Sequence, residues 1–211
     1  IKTFSDFIKD KTPLTVDVVF VDPQFMYVKV VSDIKYNVNA TTKLSSDIRT
    51  AVLSKISAYN TTNLEGFKKT IYYTKLTKDI DSADDSIVSN DTEIRAIKII
   101  TPSTNTDQSF EINFGFPFQS ETGVVLNTAE YHYGHTVQSS PFTYQGYRSI
   151  LVDDTRGVIY VAKLTSGVVE YEGTGIKIYT RSNTKDFSST KNVILAIKDE
   201  DVTVTVTPVK L

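Results

Sequence analysis

The chain has 211 residues, with 23 basic and 25 acidic side chains interspersed along it, two histidines and no cysteine. The lack of cysteine excludes disulfide bonds, thiol nucleophiles and every zinc or iron–sulfur site that needs a cysteine ligand. The balanced charge gives no electrostatic footprint for nucleic acid, and no apolar run approaches the ~20 residues that cross a bilayer, so neither nucleic acid nor a membrane is predicted as a partner.

The length permits one large domain or two smaller ones, and it is sufficient to bury a core without covalent cross-links. The N-terminal sequence IKTFSDFIKDK is too polar for a signal peptide. Because the chain opens on Ile1 instead of a methionine, we expect it to be a fragment of a longer protein.

The first strands are predicted before residue 40. TVDVVFVD, residues 15–22, is a short β-branched run that Pro23 interrupts as at a turn or an edge. Residues 25–36 alternate between apolar and charged side chains, which predicts a half-buried strand. Its two faces are predicted to be Met26, Val28, Val30, Ile34 and Tyr36 against Lys29, Asp33 and Lys35.

The period then changes to that of a helix. Apolar residues recur every three or four positions at Leu44, Ile48, Val52, Ile56 and Tyr59, and Ser45 or Ser46 is expected to cap the first turn. A second, shorter helix is predicted from Tyr72, Leu76 and Ile80, and EIRAIKII is predicted to be a strand. The order strand, strand, helix, helix, strand predicts a small α+β domain with two helices on one face of a sheet, over residues 1–100.

The second half, residues 101–211, is predicted to be a β-rich domain. The boundary is placed in TPSTNTDQS, residues 101–109, after which the helical period disappears. Seven short β-rich runs follow, among them FEINFGF, YRSILVDD, GVIYVAKL, GIKIYT and NVILAIKD. LVDDTRGVIYV predicts a hairpin, and DVTVTVTP predicts an edge strand that Pro208 ends.

Two groups of residues invite a metal-site interpretation. The stretch KDIDSADDSIVSNDTEI, residues 78–94, carries six carboxylates but fails the calcium-loop pattern in both registers, so it is interpreted as a turn from 81–85 and a second turn at Ser89, Asn90 and Asp91. His132 and His135 in AEYHYGHT point to opposite faces if that run is a strand, which favours ordinary surface histidines over ligands.

No catalytic, cofactor-binding or metal-binding residue is assigned, and no cofactor or small-molecule substrate is predicted. The sequence contains no nucleophile elbow, and EGTGI lacks the third glycine of a dinucleotide loop. Aromatic residues concentrate in FGFPF and in residues 131–148. Core packing explains this concentration as well as a polar-aromatic surface for protein contacts or sugar stacking does.

The first hundred residues resemble the C-terminal part of the baseplate J-like proteins of contractile-tailed bacteriophages, and among these the large wedge proteins of T-even-type phages. The resemblance rests on VDVVFVDPQFMYVKVVSDIKYN, on the helix LSSDIRTAVLSKISAY, and on YYTKLTKDIDSADDSIVSNDTEIRAIKI. It covers about half of the chain. It implies that the acidic stretch is the helix-to-strand corner of the family and not a metal site.

The resemblance implies a non-enzymatic virion protein of the tail baseplate, assembled in the host cytoplasm. A homodimer or larger self-association is expected, together with contacts to other wedge proteins that close the baseplate ring. The alternative is a glycan- or receptor-binding β module, for which Tyr144 and Tyr147 are the candidate stacking residues.

Overall fold

The computed structural model describes residues 11, 22–101, 112, 114, 137–144, 147–153, 159–163, 175–180, 186–190 and 192–211. Two helices lie within these ranges, α1 (Ser45–Tyr59) and α2 (Tyr73–Asp81), and α1 continues into a π-helical turn (Asn60–Leu64). The strands are β1 (Gln24–Asn37), β2 (Thr70–Tyr72), β3 (Ile87–Ile100), β4 (Val137–Ser139), β5 (Phe142–Tyr144), β6 (Tyr147–Asp153), β7 (Ile159–Lys163), β8 (Ile176–Thr180), β9 (Asp186–Ser188), β10 (Val193–Ala196) and β11 (Val202–Val209). These helices and the mixed sheet confirm the α+β fold class.

Strand β1 lies second from one end of the described sheet and has paired strands on both sides. Its alternation is the one predicted, since Met26, Val28, Val30, Ile34 and Tyr36 are all buried and pack in the main core. One edge of β1 pairs antiparallel with β3 from Tyr27↔Ile97 to Tyr36↔Ile87. The other edge pairs in parallel, first with β10 and then with β11. The last two strands of the chain therefore lie beside the first described strand.

The strand order continues from β3 through β8, β4 and β6 to β5, and β7 pairs with β6. The antiparallel β6–β7 pair confirms the predicted hairpin. The runs YRSILVDD, GVIYVAKL, GIKIYT, NVILAIKD and VTVTVTP supply β6, β7, β8, β10 and β11. The division at residue 100 stays a prediction, although β10 and β11 come from beyond it and pair with β1.

Helix α1 forms on the predicted period and buries Ile48, Val52, Ile56 and Tyr59 against the sheet. The predicted serine cap is wrong, because Leu44 occupies the N-cap position and has no side-chain acceptor. Instead the Asp47 carboxylate accepts the Leu44 N–H at 3.1 Å, and the Ser45 hydroxyl bonds to the Tyr36 hydroxyl at 3.0 Å. The helix start is thereby fixed from inside its first turn.

Helix α2 and β3 depart from the prediction at their first residues. Tyr72 lies in β2, exposed and paired with Asp186 of β9, so α2 buries Leu76 and Ile80 only. The predicted turn at Ser89, Asn90 and Asp91 is wrong, because these residues pair with β1 and belong to β3. Cross-strand pairing thus outweighs the turn preference of these residue types.

Candidate interaction surface

The face of the sheet opposite the helices carries stacked aromatic and cationic side chains. We define this outer face as Phe25, Tyr27, Lys29, Ile97, Tyr179 and Lys198. Side chains alternate across a strand, so Phe25 and Tyr27 point away from the core that Met26 and Val28 enter. Their rings stack with centroids 6.0 Å apart and an interplanar angle of 6°. Phe25 is 44% exposed, so the apolar end of this stack meets solvent.

Two lysines cover the tyrosines of the outer face. The Lys198 ammonium lies 4.0 Å from the Tyr27 ring centroid, and the Lys29 ammonium lies 5.0 Å from that of Tyr179. Ile97 pairs with Tyr27 on one side and Tyr179 on the other, and it is 0% exposed although it is not a member of the main core. Burial raises the pKa of the Tyr179 phenol. Cation–π contacts of this kind contribute about 0.5–1 kcal/mol each at exposed sites.

An ion pair ties β8 to the 3₁₀ turn Asp199–Asp201, which joins β10 to β11. The Lys177 ammonium lies 2.5 Å from Asp201 Oδ1 and 3.2 Å from Glu200 Oε1. Burial lowers the pKa of Lys177, but its hydrogen bonds to Asp201 and Glu200 outweigh that effect, so the pKa is raised overall. Asp201 Oδ2 is buried and has no hydrogen-bond partner among the described residues. The pair therefore holds the position of this turn.

Strand β11 lies at an edge of the sheet in the part of the chain that the structure describes. The Val38 N–H donates to the Val209 carbonyl at 3.0 Å, so Val209 directs its backbone groups toward the β1 side. Arg49 Nε of α1 donates to the Val204 carbonyl at 3.2 Å. Neighbouring residues of a strand direct their backbone groups to opposite sides, so the even-numbered residues of β11 face outward.

Pro208 fits this arrangement. It faces outward, where its missing N–H breaks no hydrogen bond to β1. The prediction that Pro208 ends the strand is wrong, because β11 continues to Val209. Val204 is buried and the threonines Thr203, Thr205 and Thr207 are exposed, as the alternation predicts.

The acidic stretch forms a hydrogen-bonded corner between α2 and β3. Asp84 Oδ2 lies 2.6 Å from the Lys43 ammonium, and Asp84 Oδ1 accepts the Ser86 N–H and hydroxyl at 3.0 and 2.6 Å. The Lys43 hydrogen bond, followed by those of Ser86, lowers the pKa of Asp84 from 3.8 to about 2. In the described ranges no three histidine, aspartate or glutamate side chains could share a metal ion.

A cleft of about 500 Å³ opens at the start of β1. It is lined by Asp22, Pro23, Gln24, Phe67, Thr190, Asn192 and Val193. Among the described residues that line it, Asp22 is the only one with an ionisable side chain, so these residues offer no pair of groups for acid–base chemistry. The larger exposed features are thus apolar, aromatic or backbone edges, which suit protein contacts.

The other residues singled out from the sequence contribute little to this surface. His132, His135 and the run at residues 15–21 lie outside the described residues, as do the side chains of Tyr144 and Tyr147. Phe114 of FGFPF is buried in the main core. Sequence reasoning missed Phe25 and Tyr27. Both alternate with Met26 and Val28, so the sequence already placed two aromatic side chains on the face of the strand that was predicted to be polar.

Residues 24–98 match the family model described as baseplate structural protein gp6, C-terminal domain III. The match begins with β1, ends within β3 and covers fewer than half of the 211 residues. The chain matches no curated protein. The family match supports a structural role in a phage baseplate and favours a non-enzymatic protein. The match supports this phage baseplate family and not the more specific resemblance to baseplate J-like proteins.

None of the helices in the described ranges is long and apolar enough to cross a membrane.

Proposed function

We propose that this chain belongs to a baseplate wedge subunit of a contractile phage tail, which self-associates and joins neighbouring wedge proteins into the baseplate ring. The observation that carries the proposal is the family match over β1 to β3, which comprise both helices and most of the main core. The protein would be a non-enzymatic virion component, assembled in the host cytoplasm and needing no cofactor.

The exposed features support an associative role. A ring component needs surfaces that bind neighbouring subunits non-covalently. The cores of such interfaces are enriched in aromatic residues and depleted of acidic ones. The outer face offers Phe25 and Tyr27 with lysine side chains beside them. The edge of β11 offers backbone donors and acceptors. Obligate assembly interfaces bury about 2,000 Å² or more, so we expect several of these features to act together.

The first test is the molar mass of the 211-residue chain by light scattering over a hundredfold range of concentration. We expect the mass to rise from the 23.6 kDa of a single chain to a dimer or larger species. The matched pair of variants is Phe25→Ser, which removes an exposed aromatic ring from the outer face, and Val88→Ser, which removes an exposed apolar side chain elsewhere in the sheet.

A strict monomer at the highest concentration would contradict self-association by this part of the protein. A monomer that binds a glycan saturably would support the alternative of a glycan- or receptor-binding β module. Wedge joining is tested separately, by co-purification of the tagged chain with the other baseplate proteins of the same phage. Recovery of the chain alone, under conditions in which those proteins are soluble, would contradict that part of the proposal.

A further inference from the structure

The outward edge of β11 carries a definite pattern of donors and acceptors. Within the described part of the chain, no strand pairs with this edge. At three of its positions one backbone group is not free to bond to a second strand. The Val204 carbonyl accepts from Arg49, Pro208 has no N–H, and the Val202 N–H donates to the Asp199 carbonyl. The N–H and C=O of Val206 complete the row. Any strand that pairs here has to match these positions.

We infer that this edge is a contact between two copies of the chain, in which the β11 strands pair antiparallel with Val206 facing Val206 of the second copy. The inference rests on the self-association in the proposed function and assigns a surface to it. In this register the two Val206 residues exchange both of their hydrogen bonds. Each Val204 N–H donates to the carbonyl of the second copy's Pro208.

The register follows from two of these three positions, because the Val204 carbonyl needs no further donor and Pro208 has no N–H to donate. Val204 faces the second copy's Pro208, which has no N–H to donate, and the Val204 carbonyl already has its donor in Arg49. If Val206 or Val202 faced the second copy's Pro208 instead, that residue's carbonyl would lose its donor in the interface. If Val204 faced Val204 of the second copy, each Val204 carbonyl would receive a second donor besides Arg49. The ladder would also be shorter, because β11 begins directly after the 3₁₀ turn that ends at Asp201.

Charge and side-chain placement agree with the same register. Lys210 falls opposite Val202 of the second copy, next to the acidic turn Asp199–Asp201. Thr205 falls opposite the second copy's Thr207 on the exposed face, and such threonine pairs stabilise antiparallel sheets. The two-fold axis is perpendicular to the sheet, so both helix layers lie on the same side and the buried faces of the two sheets become continuous.

Single cysteines test the register directly, because the chain contains none. The variants Thr205→Cys and Thr207→Cys are purified separately, oxidised alone, and oxidised after mixing and subunit exchange. Directly opposed residues in a non-hydrogen-bonded pair lie about 4.5 Å apart at Cα, within the range for a disulfide. We expect a disulfide-linked dimer in the mixture and none in either variant alone, since residues two positions out of register are too far apart.

A linked dimer from Thr205→Cys alone, or from Thr207→Cys alone, would overturn the register by centring it on that residue. No linkage in any sample, while light scattering still finds a dimer, would overturn the surface and leave the proposed self-association intact. No linkage together with a monomeric mass at every concentration would overturn both. These outcomes separate the failure of the inference from the failure of the proposed function.

A proline variant supplies a second measurement. Val206→Pro removes an N–H that points away from β1, so it breaks no hydrogen bond within the chain. We expect at least a tenfold weaker dimer with an unchanged circular dichroism spectrum. Val206→Ala trims the same side chain but keeps the N–H, and we expect it to dimerise like the parent protein. Equal dimerisation of the proline and alanine variants would contradict the inference.

Discussion

The corner at Asp84 predicts a pH-dependent loss of stability that a single isosteric substitution removes. Asp84 is only 5% exposed in its side chain and accepts three hydrogen bonds, from Lys43 and from the N–H and hydroxyl of Ser86. Asp84→Asn keeps an oxygen that accepts from Ser86 and removes the charge that attracts Lys43. The substitution therefore isolates the ionised form of the carboxylate.

The magnitude follows from the pKa of Asp84, which the Lys43 hydrogen bond and then those of Ser86 lower from 3.8 to about 2. One pKa unit corresponds to about 1.4 kcal/mol, which sets an upper value of about 2.5 kcal/mol for the contribution of the charged form. Lys43 is 57% exposed, so solvent screens its share, and we expect about 1–2 kcal/mol.

The sign follows from linkage between protonation and folding. A carboxyl group with a pKa below its unfolded value of 3.8 stabilises the fold above that pH, and the stabilisation is lost as the pH falls through 3.8 toward 2. Because the chain has no tryptophan, urea unfolding is followed by circular dichroism, between pH 7 and pH 2. We expect Asp84→Asn to unfold more easily than the parent at pH 7, and we expect most of that difference to be lost at pH 2.

The neighbouring carboxylate provides the control. Asp85 is exposed, so Asp85→Asn is expected to change the free energy of unfolding by less than about 0.5 kcal/mol at every pH. A difference between Asp84→Asn and the parent that stays constant from pH 7 to pH 2 would refute the assignment to charge. So would an equal effect of the two substitutions.

Two further substitutions test the interior by urea unfolding at pH 7. Thr92→Val removes a buried hydroxyl that bonds to the Ser32 hydroxyl at 2.7 Å, and we expect the free energy of unfolding to fall by about 1–3 kcal/mol. In the double variant with Ser32→Ala, we expect a loss smaller than the sum of the two single losses, and strictly additive losses would contradict the coupling. Gly175→Ala places a Cβ in steric overlap with Ile99 Cγ2 at a φ of +96°, so it should cost more than Gly66→Ala, where φ is +106° and the nearest atom, Lys69 Cε, is at 3.5 Å. Equal costs of the two substitutions would contradict the steric argument.

Elements with a strong local period were predictable. The alternation from Met26 to Tyr36 and the helical spacing from Ile48 to Tyr59 persist for several repeats, and each assigns one face to the core. The start of β3 was not predictable in this way, because Ser89 to Asp91 have the composition of a turn. Their pairing with β1 stabilises an extended backbone that their own preferences do not favour.

The interaction surface was only partly predictable, for a related reason. Alternation tells which face of a strand is buried but not which strand lies beside it. The VTVTVTP run was predicted to be an edge strand, yet nothing in it indicates parallel pairing with a strand more than 160 residues earlier in the chain. The contact between Arg49 and the Val204 carbonyl depends on that pairing, so no local pattern could have revealed it.

The pairing of the two C-terminal strands with β1 also bears on how the matched region folds. Residues 24–98 contain β1 and β3, but β10 and β11, which complete the other edge of β1, lie outside the match. Val193, Leu195, Ile197 and Val204 from this C-terminal segment are buried in the same core as α1. Without them β1 would present an open edge along most of its length, and open edges of long strands promote unwanted pairing. In the part of the chain that the structure describes, the C-terminal segment therefore completes the sheet and the core around the matched region, and the outward edge of β11, not that of β1, is the one without a paired strand.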